Sequence, residues 1–180
     1  MLPADKSPSS PIFAAHMARI EHSHSFAYSE LSSATDLLGA EAKVWEAARA
    51  ATAHAYAPYS GFWVGAALLL ADGTLFAGSN QENAAYPSGL CAERTALFGL
   101  SAARPGHPAI VAMAVAARPA NGVFGPALPC GACRQVMLES ESRQLRMIPL
   151  LLPSRHGTIL RFASVADLLP FNFRADDLPG

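Results

Sequence analysis

The chain has 180 residues, the size of one domain with some to spare, and about half of them are apolar (51%), so a substantial core can form. Charged residues make up only 15% and the formal net charge is −1. That balance argues against nucleic acid as a partner, because such a groove depends on clustered Lys and Arg. It also leaves no membrane span: the apolar run Val64 to Ala71 is short and soon meets Asp72, so it reads as a buried strand.

Met1 to about Ser33 is rich in Ser, Pro and His and lacks sustained periodicity. Residues 1–33 therefore read as an N-terminal extension, flexible or loosely docked, ahead of a domain over 34–180. Phe13 to Glu21 is the one stretch in it with a helical pattern. His16, His22 and His24 read as solvated arm residues rather than as a metal tract. No apolar stretch follows a basic start, and Arg19 is the only arginine before Arg49, so neither a secretory nor a transit signal is visible. The expected location is the cytoplasm. In that reducing compartment a C-x-x-C pattern points to metal or redox chemistry rather than to a disulfide.

A first helix is expected from about Asp36 to Ala55, capped by Thr35 or Asp36, with Leu37, Leu38, Val44, Ala47, Ala48 and Ala51 as its apolar stripe. Pro58 and Gly61 end it. Phe62 to Ala71 reads as a strand, Asp72-Gly73 as a hairpin turn, and Thr74 to Gly78 as the returning strand. A second helix opens near Cys91 and runs to about Ala103. Ile110 to Ala117 suits a strand covered on both faces. After a loop at Pro119 to Pro129, a third helix opens near Cys130 and continues to about Ser142. Strands at Ile148 to Leu152 and Thr158 to Phe162, a short helix at Ser164 to Leu169 and a tail with Phe171 and Phe173 complete the chain. The order predicts an α/β fold, a mixed five-stranded sheet with helices on its faces.

The chemistry concentrates in Cys91-Ala92-Glu93 and Pro129-Cys130-Gly131-Ala132-Cys133. Cys130 and Cys133 are three apart at a predicted helix start, so their sulfurs share a face. Cys91 also opens a predicted helix, and the positive helix end favours thiolate at each position. Three thiolates fill three corners of a tetrahedron around Zn²⁺, the catalytic pattern, whereas a structural site takes four protein ligands. This spacing is a recognised signature of zinc deaminases. Zinc lowers the pKa of a bound water, and Glu93, two residues beyond Cys91, is placed to move the protons.

From about Asp36 to Leu178 the chain resembles the cytidine deaminase family in its homotetrameric three-cysteine form. The matching blocks are Ala57-Pro58-Tyr59-Ser60-Gly61-Phe62-Trp63-Val64-Gly65-Ala66-Ala67, Asn80-Gln81-Glu82-Asn83-Ala84-Ala85-Tyr86 and Leu90-Cys91-Ala92-Glu93-Arg94-Thr95-Ala96, followed by Pro129 to Gln135 and Leu168 to Phe173. The resemblance implies a three-layer α/β/α domain with one Zn²⁺ per subunit. It also implies hydrolytic deamination of cytidine and 2′-deoxycytidine, a step of pyrimidine salvage. Residue by residue, it implies that Asn80 and Glu82 bind the ribose 3′-hydroxyl within a substrate-binding block that includes Asn83, Ala84, Ala85 and Tyr86. Phe62 is implied to pack on the pyrimidine, Ala92 and Cys91 to meet the base through their backbone, and Glu93 to read ring N3. Arg94 is implied to hydrogen-bond the zinc thiolates. Phe173 is implied to reach a neighbouring subunit's site, so that a homotetramer shares its active sites.

Trp63, Leu128 and Ser140 depart from the family's usual residues; none touches the zinc or proton chemistry. A blasticidin-type antibiotic deaminase resembles the chain around the metal, but Asn80-Gln81-Glu82-Asn83 favours a nucleoside. An inactive zinc-containing nucleoside-binding protein would be expected to lack Glu93 or a ligand, and neither is missing.

Overall fold

Alternation along the central strands builds two apolar layers. The structure, a computed structural model, describes residues 20–179. In β2 (Phe62–Leu70), Ala66, Leu68 and Leu70 face one way while Ala67 and Leu69 face the other. β4 (Ile110–Pro119) does the same with Met113, Val115 and Ala117 against Ala112, Ala114 and Ala116. The β2–β4 register slips between Leu69 and Leu70, whose partners are Ala112 and Ile110. The extra residue, Val111, is a bulge that returns Ile110 to the face of Met113. Leu68, Met113 and Val115 are essentially buried, as a strand covered on both sides requires.

One face is covered by α1 (Gly39–Ala51) through Val44, Trp45 and Ala48. The other is covered by α2 (Ala92–Ala103) and α3 (Gly131–Gln144) through Ala96, Leu97, Leu100 and Met137. The result is the expected three-layer α/β/α domain. α1 is shorter than its sequence pattern suggests. Ser33 and Asp36 close a separate 3-10 turn at Ala34–Asp36 by a reciprocal capping box, and Gly39, at φ +55°, redirects the chain at the first position of the helix. A second 3-10 turn, Thr52–His54, follows it, so the expected helix over 36–55 is one helix flanked by two turns. The segment after Ser164, expected as a short helix, is likewise a 3-10 turn at Val165–Leu168.

β3 (Leu75–Ser79) follows the Asp72-Gly73 hairpin, and β5 (Leu150–Pro153) and β6 (Ile159–Phe162) follow α3. The sheet has six strands rather than five. The additional one is β1 (Tyr28–Leu31), from the segment read as an extension, and the order is β1-β6-β5-β4-β2-β3. β1 pairs antiparallel with β6, and the Tyr28 ring stacks on Phe162 at 5.6 Å between centroids. Four mostly exposed residues leave too little alternation for a sequence to announce such a strand. His22 and His24 are exposed; His16, and all but the end of the helical pattern at Phe13 to Glu21, lie outside the described residues. Among the described residues no helix is long and apolar enough to cross a membrane.

Topology positions the site. β2 runs antiparallel to both β3 and β4, so β3 and β4 are parallel to each other, and β4 is parallel to β5. α2 connects β3 to β4, and α3 connects β4 to β5. Both helices pack on the same face of the sheet, so both begin at the carboxyl edge of the parallel strands. That edge is where open α/β sheets bind ligands. Two glycines set how closely the layers approach. A Cβ on Gly65 would come 2.1 Å from the Ala48 carbonyl oxygen in α1, and one on Gly78 would come 2.4 Å from the Ala96 nitrogen in α2. Gly65→Ala should therefore lower the unfolding free energy by about 1–3 kcal/mol in urea denaturation, because α1 must retreat from β2.

Candidate metal centre and active-site cleft

The three cysteines reach one point from two helix ends. Cys91 is the N-cap of α2 and Cys130 the N-cap of α3, both in extended backbone, and neither side chain is used in capping. Cys133, in the first turn of α3, is fully buried. The three sulfurs lie within 4.8 Å of one another, and Cys130 Sγ to Cys133 Sγ is 3.5 Å. Tetrahedral Zn–S bonds of about 2.3 Å separate sulfurs by about 3.8 Å, so the donor set fits zinc in kind and in spacing. Among the described residues no fourth Cys, His, Asp or Glu joins the cluster.

The thiols are unequal. The hydrogen bond from Cys133, helped by Arg94, pulls the Cys91 thiol down to about 5 against its burial. Cys133 is pushed up by the same hydrogen bond and by burial. One thiolate thus forms readily on its own, and a divalent cation is what would let all three ionise together. Arg94, in the first turn of α2, directs Nη2 toward Cys91 Sγ at 3.9 Å and the Gly89 carbonyl at 3.4 Å. Its Nε is buried with no hydrogen-bond partner among the described residues, beside a group of sulfurs that becomes anionic when it binds metal. Glu93 is only 4% exposed. Burial pushes its carboxyl up, and the neighbouring Cys91 thiolate acts in the same direction, as suits a group that holds and returns a proton.

These residues form one wall of a cleft of about 720 Å³. The structure brings Phe62, Asn80, Glu82, Asn83, Tyr86 and Ala92 into that cleft with Cys91, Glu93, Arg94 and Cys130. Cys133 lies behind it, against the other sulfurs. Asn80 is locked to the start of β2: Val64 N–H donates to its Oδ1 at 2.8 Å, and its Nδ2 donates to the Phe62 carbonyl at 2.9 Å. Each end of the amide still has one unused hydrogen-bonding position. Ala84, Ala85 and Phe173 do not line the cleft of this single chain. Asn83 Oδ1 accepts from Ala85 N–H at 2.9 Å, so this stretch shapes the rim. Phe173 is 55% exposed, and its carbonyl accepts from Gln135 Nε2 at 2.7 Å. Arg134 adds bonds to the carbonyls of Pro129 at 2.9 Å and Leu168 at 3.0 Å. The first turn of α3 therefore holds the tail as well as a sulfur.

Sequence reasoning gave no role to Ser60, Tyr59, Gln81 or Ala127, which also line the cleft. Ala57 to Gly61 read as a helix stop and as part of a matching block, with no role for Tyr59 or Ser60, and the loop before Pro129 carried no periodic signal. Leu128, one of the three departures, lines the cleft beside Cys130. Trp63 instead lies under the Arg118 guanidinium, 5.5 Å from it, and the Ser140 hydroxyl donates to the Val136 carbonyl at 3.0 Å.

Three thiolate donors, one buried carboxylate and a cleft sized for a small molecule are the parts of a metal-assisted hydrolytic enzyme. Residues 40–148 match the family described as the cytidine and deoxycytidylate deaminase zinc-binding region. A cytidine deaminase of Sporosarcina psychrophila is 46% identical over 124 residues, covering 69% of this chain and 84% of the relative. One from Mycobacterium tuberculosis (strain H37Rv) is 40% identical over 129 residues, covering 72% and 86%. Among solved structures, cytidine deaminase from Burkholderia pseudomallei superposes with a TM-score of 0.61 at 47% identity, over 73% of this chain and 97% of that one. The chain belongs to the cytidine and deoxycytidylate deaminase family of zinc enzymes.

Purified protein should carry about one zinc per chain by elemental analysis. Cys133→Ser should lose most of it, and should also destabilise the fold, because the first turn of α3 then closes on a buried polar atom without its metal.

Proposed function

We propose that the chain catalyses hydrolytic deamination of cytidine and 2′-deoxycytidine to uridine and 2′-deoxyuridine, releasing ammonia. The observation that carries this reading is the buried Glu93 sharing one cleft with the sulfur cluster and with Phe62, Asn80 and Glu82. Zinc held by Cys91, Cys130 and Cys133 supplies the Lewis acid that makes water a nucleophile near neutral pH. Glu93 accepts a proton from the attacking water as the C4–O bond forms and delivers it to pyrimidine N3. It then conveys the second water proton to the departing amino group as the C4–N bond breaks.

Arg94 tempers the anionic sulfurs: three thiolates on Zn²⁺ carry a net −1, which would weaken the metal's pull on water. Phe62 supplies a face for the pyrimidine. Backbone groups of Cys91 and Ala92 meet the base edge. Asn80 and Glu82 bind the 3′-hydroxyl through the positions their hydrogen bonds within the chain leave open, which disfavours a free base because that base leaves those positions unfilled. Asn83, Ala84, Ala85 and Tyr86 complete the wall around the nucleoside.

The finer reading is a homotetramer with shared sites, in which Phe173 closes a neighbour's cleft. Its support is the apolar surface a lone chain leaves exposed, with Tyr86 77% and Phe171 89% accessible. The activity belongs to pyrimidine salvage, with the cytoplasm as its expected place.

Glu93→Gln should retain zinc while kcat for cytidine falls by about 10³-fold or more, measured by uridine formation. Full activity in that variant would overturn the mechanism. Sedimentation should give a particle of four chains, and Phe173→Ala should raise KM without changing zinc content.

A further inference from the structure

Ser60 occupies the turn between α1 and β2, where it joins two halves of the cleft. Its hydroxyl donates to Glu82 Oε1 and accepts from the Phe62 N–H at 3.1 Å. The Tyr59 and Ser60 N–H groups donate to the other carboxylate oxygen, Oε2, at 2.9 and 3.2 Å. Gly61, at φ +62° with its N–H bonded to the Ala57 carbonyl, gives the chain the reversal that brings these donors to one carboxylate. Phe62 is thereby gripped on both sides, by Ser60 at its N–H and by Asn80 Nδ2 at its carbonyl.

The count of hydrogen-bonding positions on Glu82 is informative. An ionised carboxylate has about four acceptor positions, and three are taken here. Oε2 is filled by the two backbone donors, while Oε1 has Ser60 and one free position. The side-chain bond from Ser60 is the largest influence holding the Glu82 carboxyl below its ordinary range, ahead of the two backbone donors. Without the hydroxyl, Oε2 stays anchored, but Oε1 can swing about that anchor. The Phe62 N–H loses its acceptor in the same change.

We propose that Ser60 is a positioning residue for substrate selectivity: its hydroxyl fixes the free acceptor of Glu82 relative to the Phe62 ring, so that the cleft favours pyrimidine nucleosides bearing a 3′-hydroxyl. This rests on the reading of Glu82 as the sugar contact. A hydroxyl on the sugar needs an acceptor at a set distance from the ring platform, and Ser60 is the side chain that bonds to both. Ser60 lines the cleft but is no member of the sulfur cluster, which separates its effect from metal binding.

The test compares 2′-deoxycytidine with 2′,3′-dideoxycytidine in the wild-type enzyme and in Ser60→Ala, Ser60→Thr and Glu82→Gln. Ser60→Ala should reduce the wild-type preference for the hydroxylated substrate, as the ratio of kcat/KM values, about tenfold, chiefly through KM for 2′-deoxycytidine. Zinc content and thermal midpoint should stay at wild-type values, and Ser60→Thr, which keeps the hydroxyl, should restore most of the preference. A merely structural role would affect both substrates alike. If Glu82→Gln abolishes the preference but Ser60→Ala leaves it within about twofold, Ser60 does not position the contact. If Glu82→Gln itself leaves the preference intact, the sugar reading of Glu82 fails, and the role given to Ser60 fails with it.

Discussion

Two helices that begin at the same edge of one sheet hold three cysteine sulfurs together, and the rest of the site follows from that meeting. Thiolates less than 5 Å apart repel one another, so they are brought together only where the backbone supplies positive potential and a cation can bind. α2 and α3 each contribute an N-terminus, and the parallel relation of β3, β4 and β5 forces both to the same edge. The close approach of α2 at Gly78 fixes one of them against the sheet.

Around that meeting, chemical labour is divided over four consecutive residues of α2. Cys91 holds the N-cap position and offers sulfur, Ala92 is small and buried, Glu93 is buried at the cleft wall, and Arg94 returns toward the sulfur. Burial disfavours an ionised Glu93 and pushes its carboxyl above the ordinary range. The opposing wall is organised by hydrogen bonds rather than by charge. Asn80 is tied to Phe62 and Val64 in β2, and Glu82 to the Tyr59-Ser60 turn, so two side chains of the loop after β3 are held in place before any ligand arrives.

Local signals were legible where a single physical rule dominates. The Asp72-Gly73 turn appears with Gly73 at φ +82°, and Thr74 N–H bonds to Asp72 Oδ1 at 2.9 Å. The helices opening at Cys91 and Cys130 begin where their patterns placed them. Signals failed where distant partners decide. β1 is a strand because β6 offers it an edge and Phe162 offers Tyr28 a surface. The bulge at Val111 reflects the pairing of two strands remote in sequence, Leu69 with Ala112 and Leu70 with Ile110, which no short window contains. Ser60 had no role of its own in the sequence because its partner Glu82 lies 22 residues away.

The amino-acid order by itself determined the sulfur donors, the carboxyl group beside them, the helix starts at Cys91 and Cys130 and the layered α/β class. Each depends on residue chemistry or on short-range periodicity. Only the tertiary structure decided that Cys91 meets Cys130 and Cys133, that Arg94 Nε is buried without a partner among the described residues, that a sixth strand extends the sheet, and that Phe173 stays outside its own chain's cleft. The physical reason is that these are contacts between segments remote in sequence, set by strand direction and layer spacing, which local composition does not encode.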